Sequence, residues 1–273
     1  MRNTKKNFSI PPAVLVIVFG LIAAVLVLGF FGGARNRQKQ DSAVQAGIEY
    51  LESLEQKDPA AVNEVRKAIR QAKLDAQRDE LLKQLTDGTI APFSMFKDYV
   101  VMGDSRAVGF WYRKFLDKGR VLADGGHTIR NIEGQMETLV SLNPSTIYLC
   151  YGLNDISIGY WDTKEAYVAE YIQIVEQIQN RLPDATIVVS SILPARDPAF
   201  NRSAKWRNIP EWSEALETAC KRNGIIFANC DDLAEDYPKL WDPDGIHFRK
   251  EFYPYWASNL VVATLMEGAD NES

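Results

Sequence analysis

Histidine and cysteine, the side chains that most often announce a functional site, are scarce here: 273 residues contain two of the first and three of the second. An odd cysteine count with no CxxC spacing supports neither a disulfide framework nor a cysteine-built zinc site. Cys150 falls inside an apolar segment and reads as a core thiol, while Cys220 and Cys230 flank another and could pair in an exported domain. Basic excess is missing too. Acidic residues outnumber lysine and arginine by 36 to 31, for a formal charge of −5. Nucleic-acid binding leaves a basic footprint, so nucleic acid is not expected as a partner.

Only one long apolar run is present, and it lies at the start. No charged residue separates Lys6 from Arg35, and Ala13 to Phe31 is almost wholly Val, Ile, Leu, Ala and Phe. A helix needs ~20 such residues to cross a bilayer core, more than a signal peptide's apolar stretch. The sequence therefore predicts a tail over 1–9 and a transmembrane signal anchor over 10–34. A cleavage site at Gly32-Gly33-Ala34 is the alternative. Arg2, Lys5 and Lys6 balance Arg35, Arg37 and Lys39, so flanking charge does not choose an orientation. The short tail favours a single-pass protein of the cell membrane with its C-terminal bulk outside the cytoplasm.

Residues 35–91 read as a helical stalk. Asp58 and Pro59 open a helix, Asp87-Gly88 closes it, and Val62, Val65, Ile69, Ala72 and Ala76 form one apolar stripe. The stripe suits a spacer, or self-association as a short coiled coil.

From residue 92 to 268 apolar segments alternate with amphipathic ones, and 269–273 is a tail. Strands are predicted at Tyr99–Met102, Arg120–Ala123, Thr146–Tyr151, Thr186–Ile192 and Gly224–Ala228. Helical periodicity fills the gaps at 128–142, 164–182 and 209–224, and again at 250–266. Five strands with helical crossovers imply an α/β fold with a parallel sheet covered on both faces. In such sheets functional residues gather beyond the carboxyl ends of the strands.

Those ends carry small and ionisable residues. Gly103-Asp104-Ser105 follows the first strand, Asp124-Gly125-Gly126-His127 the second, and Gly152-Leu153-Asn154-Asp155 the third. Asp244 and His247 follow the fifth after a short connection. Asp104 or Ser105 could simply cap the next helix. Alternatively Ser105 is a nucleophile, which needs an adjacent base oriented by a third group. With two histidines to choose from, His247 is the better base, and Asp244 three residues earlier could hold its ring. The Ser105 and Gly126 backbone N–H groups and the Asn154 amide could serve a developing oxyanion. His127 either lines the cleft or belongs to a helix cap. Asp231, Asp232, Asp242 and Asp244 offer a weaker, calcium-binding reading.

The blocks GDS at 103–105, Gly126, GLND at 152–155 and DGIH at 244–247 resemble those of the SGNH (GDSL-type) hydrolases in order and placement, over residues 96–268. The resemblance implies a three-layer flavodoxin-like sandwich and no cofactor. It makes Ser105 the nucleophile, His247 the base, Asp244 its partner, and Ser105, Gly126 and Asn154 the oxyanion donors. Two departures stand out: Arg106 replaces the name-giving leucine, and His127 follows Gly126 where aspartate is frequent. The lipase elbow G-x-S-x-G is absent, since Ala107 ends the block.

Family likeness does not choose a substrate. The stretch Ile156–Trp161 and the loop 193–212, with four basic residues and two tryptophans, offer Trp161 and Trp206 as candidates to line it, beside Arg106 and His127 from the first two strand ends. Trp161, Trp206 and Trp212 could equally pack these loops onto the domain. With anchor and stalk, the expected substrate is an ester-bearing glycan or lipid of the cell envelope, with hydrolysis of an acetyl ester on a glycan foremost. Transfer of the acyl group to a second glycan hydroxyl is the alternative, and a non-catalytic surface scaffold the third.

Overall fold

A computed structural model describes residues 59–271 and, before them, residues 44, 45 and 48. The expected tail, membrane span and first part of the stalk lie outside the described residues. Among the described residues no helix is long and apolar enough to cross a membrane.

The chain divides into two compact units, 1–77 and 78–273. The described part of the first is helical, in α1 (Pro59–Thr86), and Val65, Ile69 and Ala72 on the expected stripe are partly buried.

The second unit is built on five parallel strands: β1 (Tyr99–Gly103), β2 (Val121–Ala123), β3 (Thr146–Cys150), β4 (Thr186–Ser190) and β5 (Ile226–Ala228). Each lies within its predicted segment or extends it by one residue. Their order, β2-β1-β3-β4-β5, is that of flavodoxin-like doubly wound sheets.

Alternation along the strands sends side chains to two cores. Val100, Met102, Ile147, Leu149, Ile187 and Val189 face one, packed against α3 (Asn131–Leu142), α4 (Leu153–Ile158), α5 (Lys164–Arg181) and α6 (Ile209–Arg222). Val101, Tyr148, Cys150 and Val188 face the other, under α2 (Ser105–Tyr112) and α7 (Tyr253–Asn271). Leu85 is buried in this second core with Leu81 and Leu82 beside it, although the sequence assigns all three to the stalk. Each fully buried aliphatic side chain contributes about 1.5–3 kcal/mol, so the strand ends are held by packing on both faces.

The cysteine pairing entertained from sequence does not form. Cys220 is buried in the first core and Cys230 in the second, with the sheet between them.

Register decides what the strand ends present. Gly103 of β1 lies opposite Ala123 of β2 and Cys150 of β3. The three strands thus finish level, and the segments beginning at Asp104, Asp124 and Tyr151 leave the sheet side by side.

Candidate active site

The turn after β1 is dictated by close packing. A Cβ on Gly103 would stand 2.6 Å from both the Cys150 carbonyl oxygen and the Ala107 Cβ. Asp104 follows in extended conformation and is buried; its Oδ1 accepts the Arg106 N–H at 2.9 Å. That is an N-cap bond. Asp104 therefore caps α2 and Ser105 is its first residue, which separates the two roles the sequence left open. The opening N–H groups of a helix have no partner within it, so the Ser105 N–H points out of the helix end.

Ser105 Oγ lies 2.9 Å from His247 Nε2, and His247 Nδ1 lies 2.6 Å from Asp244 Oδ2. Asp244 and His247 share a stapled turn. Trp241 and Phe248 form an isolated antiparallel bridge, their buried rings are 4.6 Å apart, and the Asp242 N–H donates to the His247 carbonyl. Gly245 at the apex has φ +71°, which glycine adopts readily. Asp244 Oδ1 also accepts the backbone N–H groups of Ile246 and His247 at 2.9 and 3.0 Å. Partial burial pushes the Asp244 carboxyl up, but these bonds and the one from the His247 ring outweigh it and hold it at about 2. The pair has the form of a carboxylate orienting an imidazole against a hydroxyl.

The remaining donors come from the neighbouring strand ends. Gly126, at φ +79°, gives its N–H to no acceptor among the described residues. Asn154, in the first turn of α4, donates through Nδ2 to the His127 carbonyl at 2.9 Å. One amide hydrogen thus braces the loop after β2, and the other meets no acceptor among the described residues. Gly152 opens this segment at φ +133°, and a Cβ there would overlap Ile192.

Asp155, to which the sequence gives no role, braces the same loop. It is fully buried, and its Oδ1 accepts the Ile129 N–H at 2.9 Å, a second brace on the segment carrying His127. Burial drives its carboxyl up to about 7, with nearby Asp104 adding to the effect. The available signal was an acidic residue flanked by Leu153 and Ile156 at a helix start.

The proposed lining residues fare differently. Arg106 is no cleft cation: it is 3 % exposed, donates to the Leu193 and Pro194 carbonyls, and faces Asp104 at 3.7 Å. Trp206 is buried, with its indole N–H bound to the Leu153 carbonyl, so it pins the long loop onto α4. Trp161 is buried as well and donates to Glu170. Both tryptophans pack loops. The exposed apolar groups just beyond Asn154 are instead Ile158 and Tyr160. Arg130 lies over the Tyr160 ring at 4.9 Å and forms a two-oxygen pair with Glu170. His127 is half-buried, and its carbonyl is the part that meets Asn154.

Three of the four aspartates in the calcium reading are engaged with other side chains. Asp231 accepts from Ser213, Asp242 pairs with Arg113 and Asp244 with His247. Among the described residues no three acidic, histidine or cysteine side chains gather as metal ligands.

Comparison with known proteins gives a family and a fold. Residues 85–253 match the model of the GDSL-like Lipase/Acylhydrolase family. A solved protein named a GDSL-like lipase, from Parabacteroides merdae, superposes with TM-score 0.53 at 18% identity over 62% of this chain and 95% of its own. A GDSL-like lipase from Bacteroides thetaiotaomicron does so with TM-score 0.51 at 20% identity, over 63% and 88%. At such identities the likeness is one of fold. No curated protein matches the chain.

Proposed function

The chain belongs to the GDSL-like lipase/acylhydrolase family, and from that premise we propose that it is a serine esterase that removes an acyl group, acetyl foremost, from a cell-envelope glycan. The observation that carries this reading is the continuous contact from Ser105 Oγ through the His247 ring to Asp244, at 2.9 and 2.6 Å.

In this mechanism Ser105 Oγ attacks the ester carbonyl carbon while His247 Nε2 takes its proton. The ionised Asp244 holds Nδ1–H, keeping Nε2 free as acceptor and stabilising the imidazolium that forms. The carbonyl oxygen becomes an oxyanion facing the Ser105 and Gly126 N–H groups and the Asn154 amide. Each such donor is worth about 3 kcal/mol of barrier. Collapse breaks the bond to the glycan oxygen, which leaves as an alcohol with the proton from His247. Water, deprotonated by His247, then attacks the acyl-enzyme, releasing the carboxylic acid and restoring Ser105.

Substrate location rests on the sequence: an anchor over 10–34 and a stalk would set the domain at the outer face of a membrane. The test is product analysis with the full-length protein and acetylated envelope glycans, alongside a fluorophosphonate probe. Free acetate and a probe adduct on Ser105, both lost in Ser105→Ala, are expected. Acetyl appearing on a second sugar would replace the hydrolase reading with the transferase one. A folded protein that neither reacts with the probe nor cleaves an aryl acetate would leave only a scaffold.

A further inference from the structure

The loop after β4 touches both halves of the candidate site. At its start, Leu193 and Pro194 offer their carbonyls to the buried Arg106, which is adjacent to Ser105. Two residues on, Arg196 meets the turn that carries Asp244 and His247 at two points and the segment leading into it at a third. Its backbone N–H donates to the Gly245 carbonyl at 3.0 Å. Its guanidinium donates through Nη1 to the Pro238 carbonyl at 3.0 Å and lies over the Trp241 ring at 4.7 Å. The approach is close enough that a Cβ on Gly245 would overlap the Arg196 carbonyl.

Gly245 lies between Asp244 and His247, and Trp241 is one leg of the same turn. A shift of this turn moves the imidazole relative to Ser105, because Ser105 is fixed independently by β1 and the α2 cap. We infer that Arg196 is a positioning residue: through Pro238 and Trp241 its guanidinium sets the separation of His247 Nε2 from Ser105 Oγ. The residues 193–196 then act as a strap, with Arg106 gripping its near end on the serine side and Arg196 its far end on the histidine side. Planar guanidinium suits this double task, since it can stack on an indole face and donate in its own plane at once. The side chain is otherwise exposed, so its removal leaves no hole in either core.

This role rests on the esterase reading, and the test separates the two. Steady-state hydrolysis of an aryl acetate is measured for the full-length wild type, Arg196→Ala, Arg196→Lys, His247→Ala and the Arg196→Ala/His247→Ala double variant. Misplacing a reacting group by a fraction of an ångström to one ångström costs about ten- to a hundredfold. Arg196→Ala is expected to lose that much in kcat with KM within about twofold, and Arg196→Lys, which keeps a cation over Trp241, to lose less. In the His247→Ala background Arg196→Ala is expected to cost nothing further, as required of a residue that acts through His247. An undiminished cost in that background, or an unchanged kcat in folded Arg196→Ala, overturns the inference. If the wild type is inactive, the esterase reading has failed. The position of the ring is then read from the far-downfield Nδ1–H resonance of His247, which Arg196→Ala is expected to shift or broaden; an unchanged resonance overturns the positioning role by itself.

Discussion

Asp244 and His247 meet at 2.6 Å across a turn that places them three residues apart, and the same carboxylate caps the backbone of that turn through Ile246 and His247. Orientation of the imidazole and folding of the loop are thus served by one side chain. Asp244→Asn keeps an acceptor for the backbone but presents an amide to Nδ1, favouring the wrong tautomer. We expect kcat/KM on an aryl acetate to fall by about 10²- to 10⁴-fold with the loop intact. Activity within threefold of wild type would remove Asp244 from the mechanism.

Asp244 also carries a pH signature. Its carboxyl is held at about 2 in the folded protein and rises to ~3.9 when unfolded. A depressed carboxyl contributes stability above its unfolded pKa and loses it as pH falls through the folded one. The stability difference between wild type and Asp244→Asn is therefore expected to shift against the wild type between about pH 4 and 2. Chemical denaturation at each pH measures it, and a difference that stays constant from about pH 5 to pH 2 would contradict this assignment.

Arg106 and Asp104 form a buried pair beneath the nucleophile, with Nε and Oδ1 3.7 Å apart. Arg106→Met leaves Asp104 without its cation and the Leu193 carbonyl without its donor. Breaking one side of such a pair costs about 3–5 kcal/mol. Urea unfolding should show a loss of that order for Arg106→Met and a smaller one for Asp104→Asn/Arg106→Met. A single variant within 1 kcal/mol of wild type would mean the pair holds nothing.

These residues also mark how far the sequence could be read. Ser105, Gly126, Asn154, Asp244 and His247 stood out because a parallel sheet collects polar groups at one edge and because their blocks resemble those of the SGNH hydrolases; the structure brings Ser105, His247 and Asp244 into contact. Arg106 was misread because a charged residue next to a nucleophile looks like a cleft cation. Its burial depends on carbonyls 87 and 88 residues away, which no local pattern announces. Trp206 was ambiguous for the same reason, since its partner is the Leu153 carbonyl. Leu85 was assigned to the stalk because helical periodicity runs through it unbroken; only the folded core shows where packing begins.

Gly109 illustrates a constraint hidden in a helix. A Cβ there would overlap the phenol of Tyr253, which is buried, packs edge-on against Phe110 and donates to the Arg106 carbonyl at 3.0 Å. Glycine lowers helix stability, so alanine would ordinarily help α2. Here we expect Gly109→Ala to destabilise by about 1–3 kcal/mol through overpacking. Gly109→Ala/Tyr253→Ala, which removes the phenol, should show no further penalty from the added methyl. Thermal unfolding checks both, and a Gly109→Ala variant as stable as wild type would refute the clash.

Asp155 supplies the opposite pH signature to Asp244. Burial raises its carboxyl to about 7, against ~3.9 in the unfolded chain. Between those values the folded state holds a proton that the unfolded state has released. Stability from this group is thus greatest below about pH 4 and is lost as pH rises towards 7, by at most about 1.4 kcal/mol per pH unit. Asp155→Asn is neutral throughout and can still accept the Ile129 N–H. Relative to wild type, the variant should therefore gain stability on going from pH 5 to pH 8. Parallel denaturation series for the two proteins measure this crossing. If the stability difference is the same at both pH values, the carboxyl is ionised in the fold and Asp155 braces Ile129 as a charge.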